Sequence, residues 1–143
     1  MNYADSSFVV SLFVPDANHE AALAATAGGN LILALTPLLR LEVRNALNRG
    51  VQQKRMTLAQ RDAVWLGFAA TITAGHFVEA PLSTLELHGK ARELSDRYTP
   101  SLGTRSLDLL HVAAAVLLGG KVFFSFDERQ RKAAAGEGLR VKP

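Results

Sequence analysis

Short apolar runs alternate along this chain with longer stretches whose apolar positions recur three and four residues apart. The β-branched and aromatic runs predict strands over residues 2–4, 31–35, 76–79, 122–126 and 139–141. The segments between them predict helices over residues 7–13, 19–27, 37–50, 57–74, 83–98, 106–118 and 128–135. Several starts carry their own punctuation. Thr36 precedes Pro37, and Thr57 with Gln60 and Ser83 with Glu86 have capping-box spacing. "AGG" at 27–29 and "LGG" at 118–120 read as helix stops rather than phosphate loops.

Strands separated by helical crossovers predict a parallel sheet covered on both faces, with ligands near the carboxyl ends of the strands. The expected architecture is therefore α/β: one domain over residues 1–143, with a central parallel sheet of four to five strands flanked by helices. At 143 residues and 48% hydrophobic content, the chain can bury a core without disulfides or a structural metal. Cysteine is absent, which excludes disulfides, thiolate catalysis and cysteine-ligated zinc, and fits a reducing cytoplasm. The N-terminus shows no signal-peptide pattern. The longest charge-free stretch, residues 63–78, is short of a membrane span. Sixteen basic residues against thirteen acids permit a phosphate-rich partner, with Arg92, Arg97, Arg105, Arg129, Arg131 and Lys132 all in the C-terminal half.

The chemistry rests on acids. Asp5 follows the first strand in "NYADSSFVV" and precedes a helix, where an N-cap role suffices for it alone. Asp127 ends "KVFFSFD", and with Gln130 it resembles a capping box. Asp108 lies in the first turn of "RSLDLLHVAAAVLL", where the helix dipole favours an anion. Glu42 is different. It sits inside "TPLLRLEVRNAL", sharing a face with Leu38, Leu39, Asn45 and Ala46, none of which can pair with it. A carboxylate on a largely apolar stripe must reach solvent or meet a donor from another element. His111, one turn beyond Asp108, reads as a core or supporting imidazole, since no second histidine stands at ligand spacing.

With the first strand central and the fourth beside it, these four acids converge on one edge of the sheet. Converging carboxylates repel, and a divalent cation resolves the conflict. Hard oxygen ligands suit Mg²⁺ or Mn²⁺ and disfavour zinc. Sites of this kind commonly serve phosphoryl chemistry.

In order and spacing, "YADSSFVVSLF", "LLRLEVRNAL", "RSLDLLHVAAA" and "VFFSFDERQRKAA" resemble the acidic blocks of the PIN domain, specifically the VapC-like toxin ribonucleases of bacterial toxin–antitoxin pairs. The resemblance spans essentially the whole chain. It implies a Mg²⁺- or Mn²⁺-dependent endoribonuclease, a homodimer, and a small antitoxin that blocks the site. It places Asp5, Glu42 and Asp108 on the metal, with Asp127 completing a second or water-mediated position and Ser125 orienting a carboxylate or a water. Arg105, Arg129 and Arg131 become candidates to guide the RNA backbone, with solvated surface as the plainer reading of each. Residues 57–74, carrying Trp65 and Phe68, are a candidate dimer or antitoxin surface, with core packing as the alternative. Two rivals stand beside this reading: a receiver-like phospho-acceptor, and a non-catalytic binding module whose acids are caps and surface charge. "ADSS" and "HFVEAPL" fit the first poorly, and mid-helix Glu42 resists the second.

Overall fold

The structure is a computed structural model that describes residues 1–27 and 31–143; Gly28 and Gly29 of the "AGG" stop lie outside the described residues. Five strands form one sheet: β1 (Asn2–Ala4), β2 (Leu33–Leu35), β3 (Phe77–Glu79), β4 (Val122–Phe124) and β5 (Arg140–Lys142). Seven helices complete the described residues: α1 (Ser6–Phe13), α2 (His19–Thr26), α3 (Pro37–Gln52), α4 (Leu58–Thr73), α5 (Thr84–Leu102), α6 (Ser106–Leu117) and α7 (Glu128–Gly136). The strand order is β3-β2-β1-β4-β5, and every pairing is parallel. The predicted neighbourhood of the first and fourth strands is present, with β1 central.

The three central strands, β2, β1 and β4, are buried on both faces, as strands of parallel sheets are. Alternation decides which residue goes where. Tyr3 and Phe123 project to one side, where α5, α6 and α7 add Ala91, Leu94, Leu109, Val112 and Ala133. Ala4, Leu33, Leu35, Val122 and Phe124 project to the other, packed by Phe8 and Val9 of α1, Leu39 and Val43 of α3 and Phe68 of α4. Phe68 is thus core. Leu66, two residues earlier on the same helix, is 69% exposed. No helix among the described residues is long and apolar enough to cross a membrane.

The largest departure from the sequence expectation is α5, which continues past Tyr98 and carries Pro100 inside its final turn. The helix stops instead at Gly103, whose φ of 63° suits a residue without Cβ and whose N–H donates to the Thr99 carbonyl. Other differences are at element ends. β4 closes at Phe124 rather than at residue 126, because Phe126 leaves the ladder to stack on Phe8 with ring centroids 5.4 Å apart. β2 begins two residues later than expected, at Leu33. The "LGG" stop is present: Gly119 has a φ of 63° and Gly120 donates to the Ala115 carbonyl.

Candidate functional site

Register alone brings the first site residue to its partner. Ala4 lies opposite Phe124, so the chain leaving β1 at Asp5 runs beside the chain leaving β4 at Ser125, and the Asp5 N–H donates to the Phe124 carbonyl. Asp5 caps α1: its Oδ1 accepts the Phe8 N–H at 2.7 Å and the Ser7 hydroxyl at 2.9 Å. Its Oδ2 accepts the hydroxyl of Ser125. Asp5 is 1% exposed, and this burial pushes its carboxyl up despite the donors around it. The Ser125 oxygen in turn accepts the Asp127 N–H at 3.0 Å, so one buried hydroxyl joins two of the acids.

Glu42 projects from α3 and meets Nε2 of His111 on α6. That contact is the cross-element partner its mid-helix position demanded. His111 is 2% exposed, and its Nδ1 lies 3.0 Å from the Tyr3 hydroxyl, which lies 3.2 Å from Thr36 Oγ1. Thr36 also caps α3 by accepting the Leu39 N–H. With the imidazole protonated on Nε2, Thr36 donates to Tyr3, Tyr3 to Nδ1, and Nε2–H to the carboxylate, which satisfies every buried group in the row. Burial raises the Tyr3 pKa far above its usual value, keeping the donor hydroxyl intact. Partial burial pushes the Glu42 carboxyl up, but His111, Ser6 and Arg105 outweigh it and hold the group below the usual carboxylate range.

Asp108 is 6% exposed at the start of α6. Its Oδ2 accepts from Arg105 Nε at 2.9 Å, and its Oδ1 accepts from Gln130 Nε2 at 3.1 Å. Asp127 caps α7, accepting the N–H groups of Arg129 and Gln130, each at 2.9 Å. The predicted capping box is only half formed. The Asp127 N–H is taken by Ser125, and the Gln130 side chain crosses to Asp108 instead of turning back. Arg129 donates to the Gly103 carbonyl and Arg131 to those of Ser125 and Pro143, so both guanidiniums have intrachain work. Arg105 has 70% of its side chain accessible and lies 2.9 Å from Asp108 and 3.9 Å from Asp127.

Asp5, Glu42, Asp108 and Asp127 all line one cleft of about 620 Å³ at the carboxyl edge of the sheet, together with His111, Arg105 and Gln130. Among the described residues, no group of three or more acidic or histidine side chains is placed closely enough to enclose an ion. The reason is visible in the bonding: each carboxylate is held by a donor from the chain itself, and the Arg105 guanidinium stands as the cation between Asp108 and Asp127. The donor set fits a hard divalent ion. Its acids offer only carboxylate oxygen, its one imidazole is engaged by Glu42 and Tyr3, and the cation now nearest Asp108 sits on a largely exposed side chain. Sequence reasoning missed Tyr3, Thr36 and Gln130. The signal for the first two was a phenol in a buried strand and a cap residue that the phenol could reach; Gln130 had the signature of a cap.

A parallel α/β sheet with acids gathered in a cleft at its carboxyl edge is the class that this fold and site define. The chain belongs to the PIN domain family, whose pattern it matches over residues 3–136. The fold is similar to that of VapC20 from Mycobacterium tuberculosis, described as a sarcin–ricin loop cleaving toxin, at 20% identity and a TM-score of 0.72 over 100% of both chains. It is also similar to FitAcB from Neisseria gonorrhoeae, at 13% identity and a TM-score of 0.66, covering 100% of this chain and 97% of that one. No curated protein matches the sequence significantly. Family membership disfavours the receiver-like and non-catalytic readings.

Proposed function

We propose that this protein is a metal-dependent endoribonuclease, the toxin of a toxin–antitoxin pair, acting in the cytoplasm as a homodimer on RNA phosphodiester bonds. The observation that carries the reading is the meeting of Asp5, Glu42, Asp108 and Asp127 in one cleft of a PIN domain. The similarity in fold to a toxin that cleaves the sarcin–ricin loop supports the substrate class.

In this reading Asp5, Glu42 and Asp108 would hold Mg²⁺ or Mn²⁺, and Asp127 would complete a second or water-mediated position. Such an ion supplies a water of lowered pKa and neutralises charge developing on phosphate. The chain's own residues do the rest. Ser125 fixes the Asp5 carboxylate, His111 and Tyr3 fix Glu42, and Gln130 holds Asp108. Arg105, paired with Asp108 and 70% exposed at the cleft, would be placed to contact an RNA phosphate. An antitoxin that covers the cleft silences the enzyme, and the exposed apolar face of α4, with Leu58 and Leu66, is available to a second copy or to that partner.

The test is direct. The purified protein is incubated with single-stranded RNA and Mg²⁺ or Mn²⁺, with and without chelator. Cleavage is expected only with the ion, and cleavage that continues undiminished in chelator overturns the metal mechanism. A short adjacent reading frame encoding a protein that co-purifies with this chain and blocks cleavage is the expected antitoxin.

A further inference from the structure

Gln130 is a buried amide in an acidic cleft, and half of it has nothing to bond. It occupies the third position of α7 and is 5% exposed. Its Nε2 donates to Asp108 Oδ1 at 3.1 Å, a contact between side chains of α7 and α6. Its Oε1 is buried and has no hydrogen-bond partner among the described residues. The two amide atoms cannot be exchanged to remove the orphan. An ionised Asp108 only accepts, so the NH₂ end must face it and the carbonyl must face elsewhere.

The local sequence makes this placement unexpected. An amide at the third helical position after an Asp cap ordinarily turns back to the N–H of the cap residue. Here that N–H already belongs to Ser125, so the amide is released to reach across the cleft. A buried carbonyl left without a donor is costly, by about 1–3 kcal/mol on general grounds. Such a cost is tolerated where a ligand supplies the missing donor, and Gln130 lines the cleft that holds Asp5, Glu42 and Asp108.

We infer that Gln130 is a positioning residue for Asp108 and that its free carbonyl accepts a hydrogen bond from a hydration water of a divalent ion bound in the cleft. The inference rests on the metal reading above and extends it to a residue outside the acid set. Gln130 thus performs two tasks with one group: its NH₂ orients a carboxylate toward the ion, and its carbonyl holds the ion's water. Asp108 is thereby held from two sides, by the exposed Arg105 that can leave and by the buried Gln130 that stays.

The experiment measures Mn²⁺ binding to the full chain by calorimetry, without RNA, for the wild type and for Gln130→Met. Methionine nearly matches the length of the amide and fills the same space, so a purely packing role predicts equal affinity and equal thermal stability. The positioning role predicts a loss of about ten- to one-hundred-fold in Mn²⁺ affinity with the fold retained. Gln130→Glu, which restores an acceptor and adds charge, is expected to bind Mn²⁺ more tightly than Gln130→Met. A second arm measures binding of an uncleavable RNA and its 2′-deoxy counterpart in chelator. If Gln130→Met lowers only the preference for RNA and leaves Mn²⁺ binding unchanged, the carbonyl serves a ribose hydroxyl and the ion assignment is overturned. If the wild type binds Mn²⁺ and Gln130→Met binds it equally, with RNA binding also unchanged, the inference fails while the metal reading stands. If the wild type binds no Mn²⁺, the metal reading fails and takes this inference with it.

Discussion

His111 Nε2 and Glu42 Oε2 form a hydrogen bond between residues 69 positions apart, and it joins the mid-helix carboxylate of α3 to a buried imidazole of α6. Removing the imidazole leaves a cavity beside Glu42 and strips the Tyr3 hydroxyl of its acceptor. His111→Ala is expected to lose about 2–4 kcal/mol of stability, read from urea unfolding midpoints. His111→Gln, which can still donate to the carboxylate, is expected to lose less. Equal unfolding midpoints for His111→Ala and the wild type would remove this network from the account of the fold.

Asp5 couples the cap of α1 to the cleft, and the two duties separate on substitution. Asn retains the acceptor for the Phe8 N–H but not the charge. Asp5→Asn is therefore expected to melt at or above the wild-type temperature while losing RNA cleavage by about a hundredfold or more, the scale of a lost electrostatic contact in a catalytic site. Ser125→Ala, which releases the Asp5 carboxylate and leaves the Asp127 N–H without its acceptor, is expected to lose about tenfold. Undiminished cleavage by Asp5→Asn would take Asp5 out of the chemistry.

Away from the cleft, Glu137 ties α7 to α5. Burial pushes its carboxyl up, but the Tyr98 hydroxyl, Lys90 and Arg97 outweigh it and hold the group below the usual glutamate range. A folded pKa lower than the unfolded one contributes stability above the ordinary range and loses it as pH falls through the lowered value. Unfolding midpoints of the wild type are expected to drop on acidification more steeply than those of Glu137→Gln. At neutral pH the variant is expected to be less stable by about 1–3 kcal/mol, since it leaves charged donors unmatched. Parallel acid limbs for the two proteins would contradict this.

Gly136 is required by its neighbour rather than by its backbone. A methyl group built there would lie 2.8 Å from Cζ of Tyr98, inside van der Waals contact. Gly136→Ala is expected to displace the ring from Glu137 and destabilise by about 1–3 kcal/mol. The loss should largely disappear in a Tyr98→Ala background, where a double-mutant cycle measures the clash.

Much of this was legible along the chain because it is local. The hydrophobic period, the caps at Thr36, Thr57, Asp5 and Asp127, and the order of strands and helices all depend on residues within a turn or two of one another. The parallel topology followed from the crossovers; Asp5, Asp108 and Asp127 could be named because strand ends and helix starts are where such a sheet opens, and Glu42 because a carboxylate on an apolar helix face needs a partner from elsewhere. The α5 terminus was less legible. A proline marks a break in most helices, yet Pro100 falls in a final turn that Gly103 closes.

What the sequence by itself determined is therefore the set of elements, the parallel α/β class and the identity of the candidate acids. What only the tertiary structure decided is who holds each acid. Ser125 reaches Asp5 because β1 and β4 pair in register, His111 reaches Glu42 because the N-terminal halves of α6 and α3 both face the cleft, and Gln130 reaches Asp108 because Ser125 had already taken the N–H it would otherwise cap. These contacts span from 22 to 120 residues of chain, and no periodicity encodes a partner at that distance; only packing does.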